Sequence, residues 1–151
     1  RLAVIGMVRT QLDDVEVDAA LRRVEDELFC LGADLATPLE ANASWVVRMD
    51  TAMVERLERE IDRFDAELEP LRHFILPGGA PAGAALHFAR TVCRRAERRT
   101  VALAREARLN DAALIYLNRL SDWLFTAARL VNTRMGQPEE KWISPAEQRR
   151  A

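Results

Sequence analysis

Apolar residues recur every three or four positions in four long stretches of the chain. The stretches run from Val17 to Leu35, from Val54 to Leu68, from Leu86 to Ala107 and from Leu114 to Val131. This spacing places apolar side chains on one face of an α-helix, so it predicts four amphipathic helices. We expect each helix to bury that face against the others.

Prolines and capping residues give the predicted helix boundaries. Pro70 stops the second helix, and Pro81 suits the first turn of the third because its missing N–H is not needed there. Asp50 or Thr51 is predicted to cap the second helix, and Asn110 the fourth. The residues between Pro38 and Asp50 lose the helical spacing and predict a surface loop with one apolar anchor among residues 45–47.

Residues 1–8 carry an apolar run with no capping residue before it. This pattern predicts a helix that is entered part-way, the remnant of a fifth. Short connections favour antiparallel neighbours. We therefore predict an all-α fold, an up-and-down helical bundle with four complete helices plus the remnant of a fifth at the N-terminus. Residues 1–151 are expected to form a single domain that is incomplete at its amino end.

Composition and charge exclude some function classes. The net charge of −2 and the isoelectric point near 5.8 argue against a nucleic-acid-binding protein, which normally has a basic surplus. No apolar run reaches the roughly 18 residues of a membrane span, and no signal-peptide pattern is found, so we expect a cytoplasmic protein without a membrane partner. Cys30 and Cys93 are expected to be core residues, not ligands of a metal or halves of a disulfide.

A row of arginines follows one edge of the third long helix. Arg90, Arg94 and Arg98 recur every four residues, so their guanidinium groups line about 12 Å of the helix, with His87 at the start of the row. Such a row fits a polyanionic ligand. It also fits a solvated, salt-bridged face, since 22 basic residues include a single lysine and arginine is the usual cation here.

Two polar features stay open from the residues alone. Asn118 lies in the middle of a predicted helix, where asparagine is unfavourable, so it is either a structural hydrogen bonder or a ligand contact. The tail from Glu139, with Lys141 and Trp142 and then Arg149 and Arg150, is polar and is predicted to become ordered only against a neighbour.

Three segments together resemble a known family. They are FILPGG at 74–79, LHFARTVCRRAER at 86–98 and YLNRLSDWLF at 116–125. In type, order and spacing they resemble the PduO-type ATP:cob(I)alamin adenosyltransferases. Residues 29–37 also resemble a segment of that family, in which the small Gly32 and Ala33 would let another helix approach closely; plain core packing is the favoured alternative.

The resemblance implies an enzyme that transfers the 5′-deoxyadenosyl group of ATP to the cobalt of cob(I)alamin and releases triphosphate. ATP and cobalamin are then the substrates, and Mg²⁺ accompanies the ATP phosphates, held mostly by water and phosphate oxygens. Family members are trimers with each active site between two subunits. A reductase and a cobalamin-dependent acceptor enzyme are the other implied partners.

The resemblance also assigns nucleotide contacts. Arg94, Arg95 and Arg98 are expected to bind ATP, because a planar guanidinium binds phosphate oxygens through two donors. Glu97 is expected to fix these arginines and the nucleotide, and Asn118 to bond polar atoms of the nucleotide.

The catalytic residues implied by the family are Phe74, Arg90 and Arg94. Arg90 matches an arginine that pairs with an acidic residue of another subunit. Phe74 matches a phenylalanine that lies beneath the corrin ring and displaces the lower axial base, which eases reduction of Co(II) to Co(I). From the residues alone, Phe74 is a core aromatic before a turn. Leu71, Ile75 and Leu76 are expected to extend the apolar wall that faces the corrin.

One alternative function remains. The family has a Gly/Thr-rich, phosphate-binding segment upstream of the position of Arg1, and the chain as given does not include it. A non-catalytic helical-bundle interaction module, a degenerate relative that keeps the fold and the arginine row, would fit this difference.

Overall fold

A computed structural model describes residues 2–41, 43–145 and 149. Within these residues five helices occur, with one isolated antiparallel bridge between Ile75 and Lys141 and no strand. The all-α prediction of four complete helices and a short amino-terminal one is confirmed. The helices are α1 (Leu2–Arg9), α2 (Val15–Ala36), α3 (Thr51–Asp65), α4 (Pro81–Leu103) and α5 (Asp111–Arg134).

Three of the helices begin at a side-chain cap. Asp14, Asp50 and Asn110 each accept a hydrogen bond from a backbone N–H in the first turn of the helix that follows. The cap of α3 is therefore Asp50, one of the two predicted candidates. Helix α4 lacks a side-chain cap and starts with Pro81 at its first position.

Helix α5 lies at the centre of the bundle. It packs against α4, α3 and α2, and α1 packs against α4 and α2. Its side chains Tyr116, Leu117, Trp123 and Leu124 are buried, in keeping with a helix that has neighbours on several sides. No helix within the described residues is both long and apolar enough to cross a membrane.

Two helices end earlier than the apolar pattern predicts. Helix α4 ends at Leu103, which is itself exposed, and Ala107 lies beyond it. Residues 104–110 are needed to reverse the chain direction before α5, so the predicted core face of α4 stops at Thr100. Val92 is only partly buried, although its helical spacing places it on the same core face. Helix α3 ends at Asp65, and the predicted continuation to Leu68 is a turn.

The buried carboxylate of Asp34 fixes the loop between α2 and α3. It accepts hydrogen bonds from the Arg48 guanidinium at 2.7 Å, the Met49 N–H at 2.8 Å and the Asn110 side-chain amide at 2.7 Å. Met49 is the buried apolar anchor of the loop. Of residues 45–47, Trp45 is 76% exposed, Val47 is exposed and Val46 is only partly buried, so the main anchor lies just after the predicted stretch. The last turn of α2 and the start of α5 are thereby joined.

We expect Asp34→Asn to destabilise the fold in a pH-dependent way. Burial raises the pKa of the Asp34 carboxyl, but hydrogen bonds from Arg48, Met49 and Asn110 outweigh it and lower the pKa below its ordinary value of 3.8. The ionised carboxylate thus stabilises the fold above pH 3.8, and this stabilisation is lost as the pH falls through the folded-state pKa. At pH 7 the substitution should lower the free energy of unfolding by about 2–4 kcal/mol.

Urea unfolding followed by circular dichroism at pH 7 and at pH 3 measures the effect. The exposed Asp13 supplies the control Asp13→Asn, for which we expect less than about 0.5 kcal/mol. A deficit for Asp34→Asn of equal size at the two pH values would contradict the carboxylate's role.

A buried polar network joins α2, α3 and α5. Tyr116 donates its hydroxyl proton to Glu27 at 2.7 Å, and Arg23 donates to both carboxylate oxygens of Glu60 at 2.6 and 2.8 Å. The Trp123 indole N–H donates to Glu60 at 2.8 Å, and the Arg23 Nε lies 3.2 Å from Glu27. Each buried carboxylate therefore has at least two partners, which is the condition for keeping a charge inside a protein.

Candidate functional site

The arginine row on α4 is not a salt-bridged face. Arg94, Arg95 and Arg98 are exposed, and none of them forms an ion pair with a described residue. Guanidinium groups without carboxylate partners keep their donors available for an incoming anion. The structure therefore excludes salt bridges within the described chain for these three arginines and leaves an exposed cationic edge that is open to an anion.

Glu97 and Asn118 pair with each other across α4 and α5. The Asn118 amide donates to the Glu97 carboxylate at 2.8 Å on the exposed side of the two helices. Asn118 therefore makes an interhelical hydrogen bond, and Glu97 is oriented by Asn118 instead of by an arginine of the row. The pair lies beside the arginines and presents polar atoms at the surface.

Arg90 is half-buried and incompletely satisfied. Its guanidinium carbon lies 5.3 Å from the centre of the Phe125 ring, a cation–π contact. Its Nε is buried and has no hydrogen-bond partner among the described residues. A buried donor without an acceptor is costly, so this Nε is open to an acceptor that water, a ligand or a second subunit would supply.

Arg90 and Arg94 face one cleft of about 330 Å³. Ile61 and Asp65 of α3 form one wall of the cleft, and Phe125 lies on α5. The cleft is also lined by the Arg119–Asp122 ion pair and by the Asp65 carboxylate, so its lining has a small positive surplus that suits an anionic ligand. Arg95 does not join Arg90 and Arg94, because it lies with Arg99 along a separate cleft.

His87 lies deeper than the sequence predicts. It is buried, packs 5.9 Å from the Phe125 ring, and has no partner at Nδ1 among the described residues. Burial, with a smaller contribution from the Arg90 charge, lowers the pKa of His87. His87 is therefore a neutral interior group and not a further cation of the arginine row.

Phe74 is exposed on the loop between α3 and α4. Its side chain is 77% exposed, so the alternative of a core aromatic before a turn is wrong. Leu71 and Leu76 are also exposed, and Ile75 is partly buried. An exposed apolar patch of this kind is typical of a binding surface.

The amide of Asn132 on α5 holds the end of this loop. It accepts a hydrogen bond from the Ala80 N–H at 3.0 Å and donates one to the Gly78 carbonyl at 2.9 Å. Gly79 has a φ of +101°, which favours glycine, and a Cβ at Gly79 or Gly83 would overlap the Asn132 amide. The loop and the start of α4 can approach α5 this closely because both residues are glycine.

We expect Gly83→Ala to displace the Asn132 amide and loosen the loop. Because Asn132 is packed between the loop and α4, the added methyl group should lower the free energy of unfolding by about 1–3 kcal/mol, measured by thermal unfolding. Gly32 of α2 is the matched control, since a Cβ there meets nothing within 4 Å. Gly32→Ala should be neutral or stabilising by up to about 1 kcal/mol. Similar losses in both variants would exclude Asn132 as the cause.

The open space at Gly32 also corrects a prediction. No other part of the described chain approaches this residue, so Gly32 does not mediate close helix packing within the described chain.

Comparisons with known proteins identify the family of the chain. The family model for cobalamin adenosyltransferase matches residues 2–131. This chain belongs to that family. The matched part contains the arginine row, the Glu97–Asn118 pair and the loop with Phe74.

Two curated relatives of this family member come from bacteria. The chain is 45% identical over 121 residues to the corrinoid adenosyltransferase of Bacillus subtilis, covering 80% of this chain and 61% of the relative. It is 42% identical over 132 residues to that of Mycobacterium tuberculosis strain H37Rv, covering 85% of this chain and 65% of the relative. The chain therefore spans less than two thirds of the length of these two relatives.

Solved structures share the fold of this family member. A variant of the PduO-type ATP:corrinoid adenosyltransferase from Lactobacillus reuteri, complexed with cobalamin and ATP, superposes with a TM-score of 0.88 at 35% identity. The superposition covers 95% of this chain and 80% of that one. A second variant, complexed with ATP, gives a TM-score of 0.88 at 34% identity, covering 94% of this chain and 80% of that one.

Sequence reasoning missed three residues that shape the candidate site of this family member. Phe125 contacts both Arg90 and His87, Asn132 holds the loop, and Trp142 packs on Phe74. Phe125 is the last residue of the segment at 116–125 that resembles the family, and this position was the available signal for it. The contacts of Asn132 and Trp142 join residues far apart in the chain, and no local pattern reveals them.

Proposed function

We propose that this protein transfers the 5′-deoxyadenosyl group of ATP to cob(I)alamin and releases triphosphate. The observation that carries the proposal is the pair Arg90 and Arg94, which line one cleft and form no ion pair within the described residues, although Asp65 and Asp122 also line it. Membership of the cobalamin adenosyltransferase family supports it. So do the relatives' names and the structures complexed with cobalamin and ATP.

In the proposed reaction the cobalt of cob(I)alamin is the nucleophile. A cobalt–carbon bond forms at the ribose C5′, the C5′–oxygen bond breaks, and the electron pair leaves with the triphosphate. The protein then supplies no nucleophile of its own. Its tasks are to align C5′ with cobalt and to stabilise negative charge on the leaving group.

We assign the charge-stabilising task to the exposed edge of α4. Arg94 and Arg98 would bind the phosphate oxygens through paired donors, and their missing carboxylate partners leave those donors available. Arg95 points to a separate cleft, so its contact would be made from the other edge of the helix. Glu97 and Asn118, already bonded at 2.8 Å, would orient the nucleotide as a unit.

The apolar patch is assigned to the corrin. Phe74 would lie beneath the ring and keep the lower face of cobalt free of a ligand, and its exposure supports this role. Leu71, Ile75 and Leu76 would extend the wall. Burial of such side chains against the corrin would contribute roughly 1.5–3 kcal/mol each when complete.

The buried Nε of Arg90 supports a site shared between subunits. An acidic residue of a second subunit would supply the acceptor that the described residues lack. We accordingly propose a homotrimer with inter-subunit sites. Separately, we propose that the protein acts in the cytoplasm. Mg²⁺ would arrive with the ATP phosphates, held mostly by water and phosphate oxygens. A reductase and a cobalamin-dependent acceptor enzyme stay predictions.

The deciding experiment is an assay under reducing conditions with ATP, Mg²⁺ and cobalamin, followed by the spectral change from cob(I)alamin to adenosylcobalamin. It should be run on the 151-residue chain and on a chain extended upstream. Product formation that saturates with ATP is expected. If neither chain forms adenosylcobalamin, the non-catalytic interaction module becomes the better interpretation.

A further inference from the structure

A carboxyl-terminal strap, residues 137–142, lies along the loop that carries Phe74. The Leu76 N–H donates to the Glu140 carbonyl, and the Trp142 N–H donates to the Phe74 carbonyl, each at 2.8 Å. Ile75 and Lys141 form the antiparallel bridge between these two hydrogen bonds. The backbone of residues 74–76 is thus paired with the strap. Residues 74–76 are therefore the neighbour against which this part of the polar tail is ordered.

The strap is itself anchored to the bundle through Arg129 of α5. The buried Arg129 guanidinium donates to the Glu139 carboxylate at 2.5 Å and to the Glu69 carbonyl at 2.8 Å. The Gln137 N–H donates to the Asn132 carbonyl at 2.8 Å. Contacts with α5 therefore fix the position of the strap, and the strap in turn fixes the position of the loop.

The Trp142 ring supports the Phe74 ring directly. The two ring centres are 6.1 Å apart at an angle of 82°, an edge-on arrangement that aromatic pairs prefer. Trp142 is the aromatic partner of Phe74 among the described residues. A phenylalanine this exposed would otherwise exchange freely between side-chain rotamers.

We propose that Trp142 is a positioning residue that holds the Phe74 side chain in the orientation in which it meets the corrin ring. The inference rests on the proposed function, because it takes Phe74 to be the corrin contact. Trp142 touches no reacting atom and acts through Phe74. It lies beyond residue 131, where the match to the family model ends.

The kinetic test compares Trp142→Ala and Trp142→Phe with the parent. Loss of the indole should raise the KM for cobalamin about 3- to 10-fold, while the KM for ATP changes less than about twofold. Trp142→Phe should have a KM for cobalamin close to that of the parent, because phenylalanine retains an aromatic edge. Trp45→Ala is the matched control, since that tryptophan is exposed on the loop between α2 and α3 and should change neither constant.

A double-mutant cycle separates positioning from general stability. If Trp142 acts through Phe74, then adding Trp142→Ala to Phe74→Ala should have little further effect on the KM for cobalamin. A full additional loss, or equal changes in both KM values with a lower thermal midpoint, would overturn the proposal.

A second measurement needs no turnover. In protein with ¹³C-labelled phenylalanine, the ring signal of Phe74 can be assigned by its loss in Phe74→Ala, since the chain has five phenylalanines. We expect this ring to become more mobile in Trp142→Ala and to stay ordered in Trp45→Ala. An unchanged ring would refute positioning by Trp142, whereas failure of the parent to form adenosylcobalamin would refute the proposed function instead.

Discussion

Arg94→Ala is expected to lower kcat/KM for ATP about 100-fold or more while leaving the helix content unchanged. Arg94 is exposed, faces the cleft beside Arg90 and has no carboxylate partner among the described residues, so its removal costs the fold little. If its donors meet the leaving triphosphate, the loss should match that of a charge-stabilising donor in other enzymes, roughly 10²–10³ in rate. Steady-state kinetics with varied ATP and far-ultraviolet circular dichroism measure the two halves of this prediction.

Two further variants sharpen the Arg94 test. Arg94→Lys keeps the charge but loses the paired donors, so an intermediate loss would show that guanidinium geometry matters. Arg59→Ala removes an exposed arginine of α3 whose nearest carboxylate oxygen is 3.7 Å away, and it should be fully active. If Arg94→Ala is as active as Arg59→Ala, the nucleotide assignment is wrong.

Phe74→Ala should impair the use of cobalamin and leave ATP binding intact. Loss of the aromatic contact should lower kcat/KM for cobalamin about 10- to 100-fold, the equivalent of losing the burial of one phenylalanine, and should slow reduction of Co(II). Because Phe74 is already exposed, the thermal midpoint should scarcely change. Reduction followed by absorbance spectroscopy and equilibrium ATP binding are the measurements.

The exposed Phe29 of α2 supplies the control for this substitution. Phe29→Ala removes the same side chain from a surface outside the loop and should retain activity with cobalamin. Equal defects in Phe29→Ala and Phe74→Ala would point to a general loss of apolar surface instead of a corrin contact.

The helices were predictable because local rules and packing agree. The spacing of apolar residues in α5 places Leu117 and Leu124 on its buried face, and Asp50 and Asn110 cap helices where their side chains can accept a backbone hydrogen bond. The ends of α3 and α4 were not predictable, since an apolar side chain such as Leu103 does not show whether a neighbouring helix extends far enough to cover it.

The candidate site was predictable only in part. The spacing of Arg90 and Arg94 placed both on one helix edge, and the structure adds that they share a cleft. The burial of His87 depends on which neighbours surround α4, and one helix alone cannot show this. The separation of Arg95 follows from helix geometry, since it lies about 100° around the axis from Arg94. The contact between Trp142 and Phe74 joins two residues that are 68 positions apart in the chain, so no periodic pattern in the sequence indicates it.

The polar network around Glu60 restricts how α3 can slide along the bundle. A shift of one helical turn, about 5.4 Å, would carry the Glu60 carboxylate away from both Arg23 and Trp123 and leave a partly buried charge unpaired. Ile61, the next residue, lines the cleft with Arg90 and Arg94. The ion pair between Arg23 and Glu60 therefore helps to fix both the register of α3 and the width of that cleft. Substitutions that weaken this ion pair should also alter the width of the cleft.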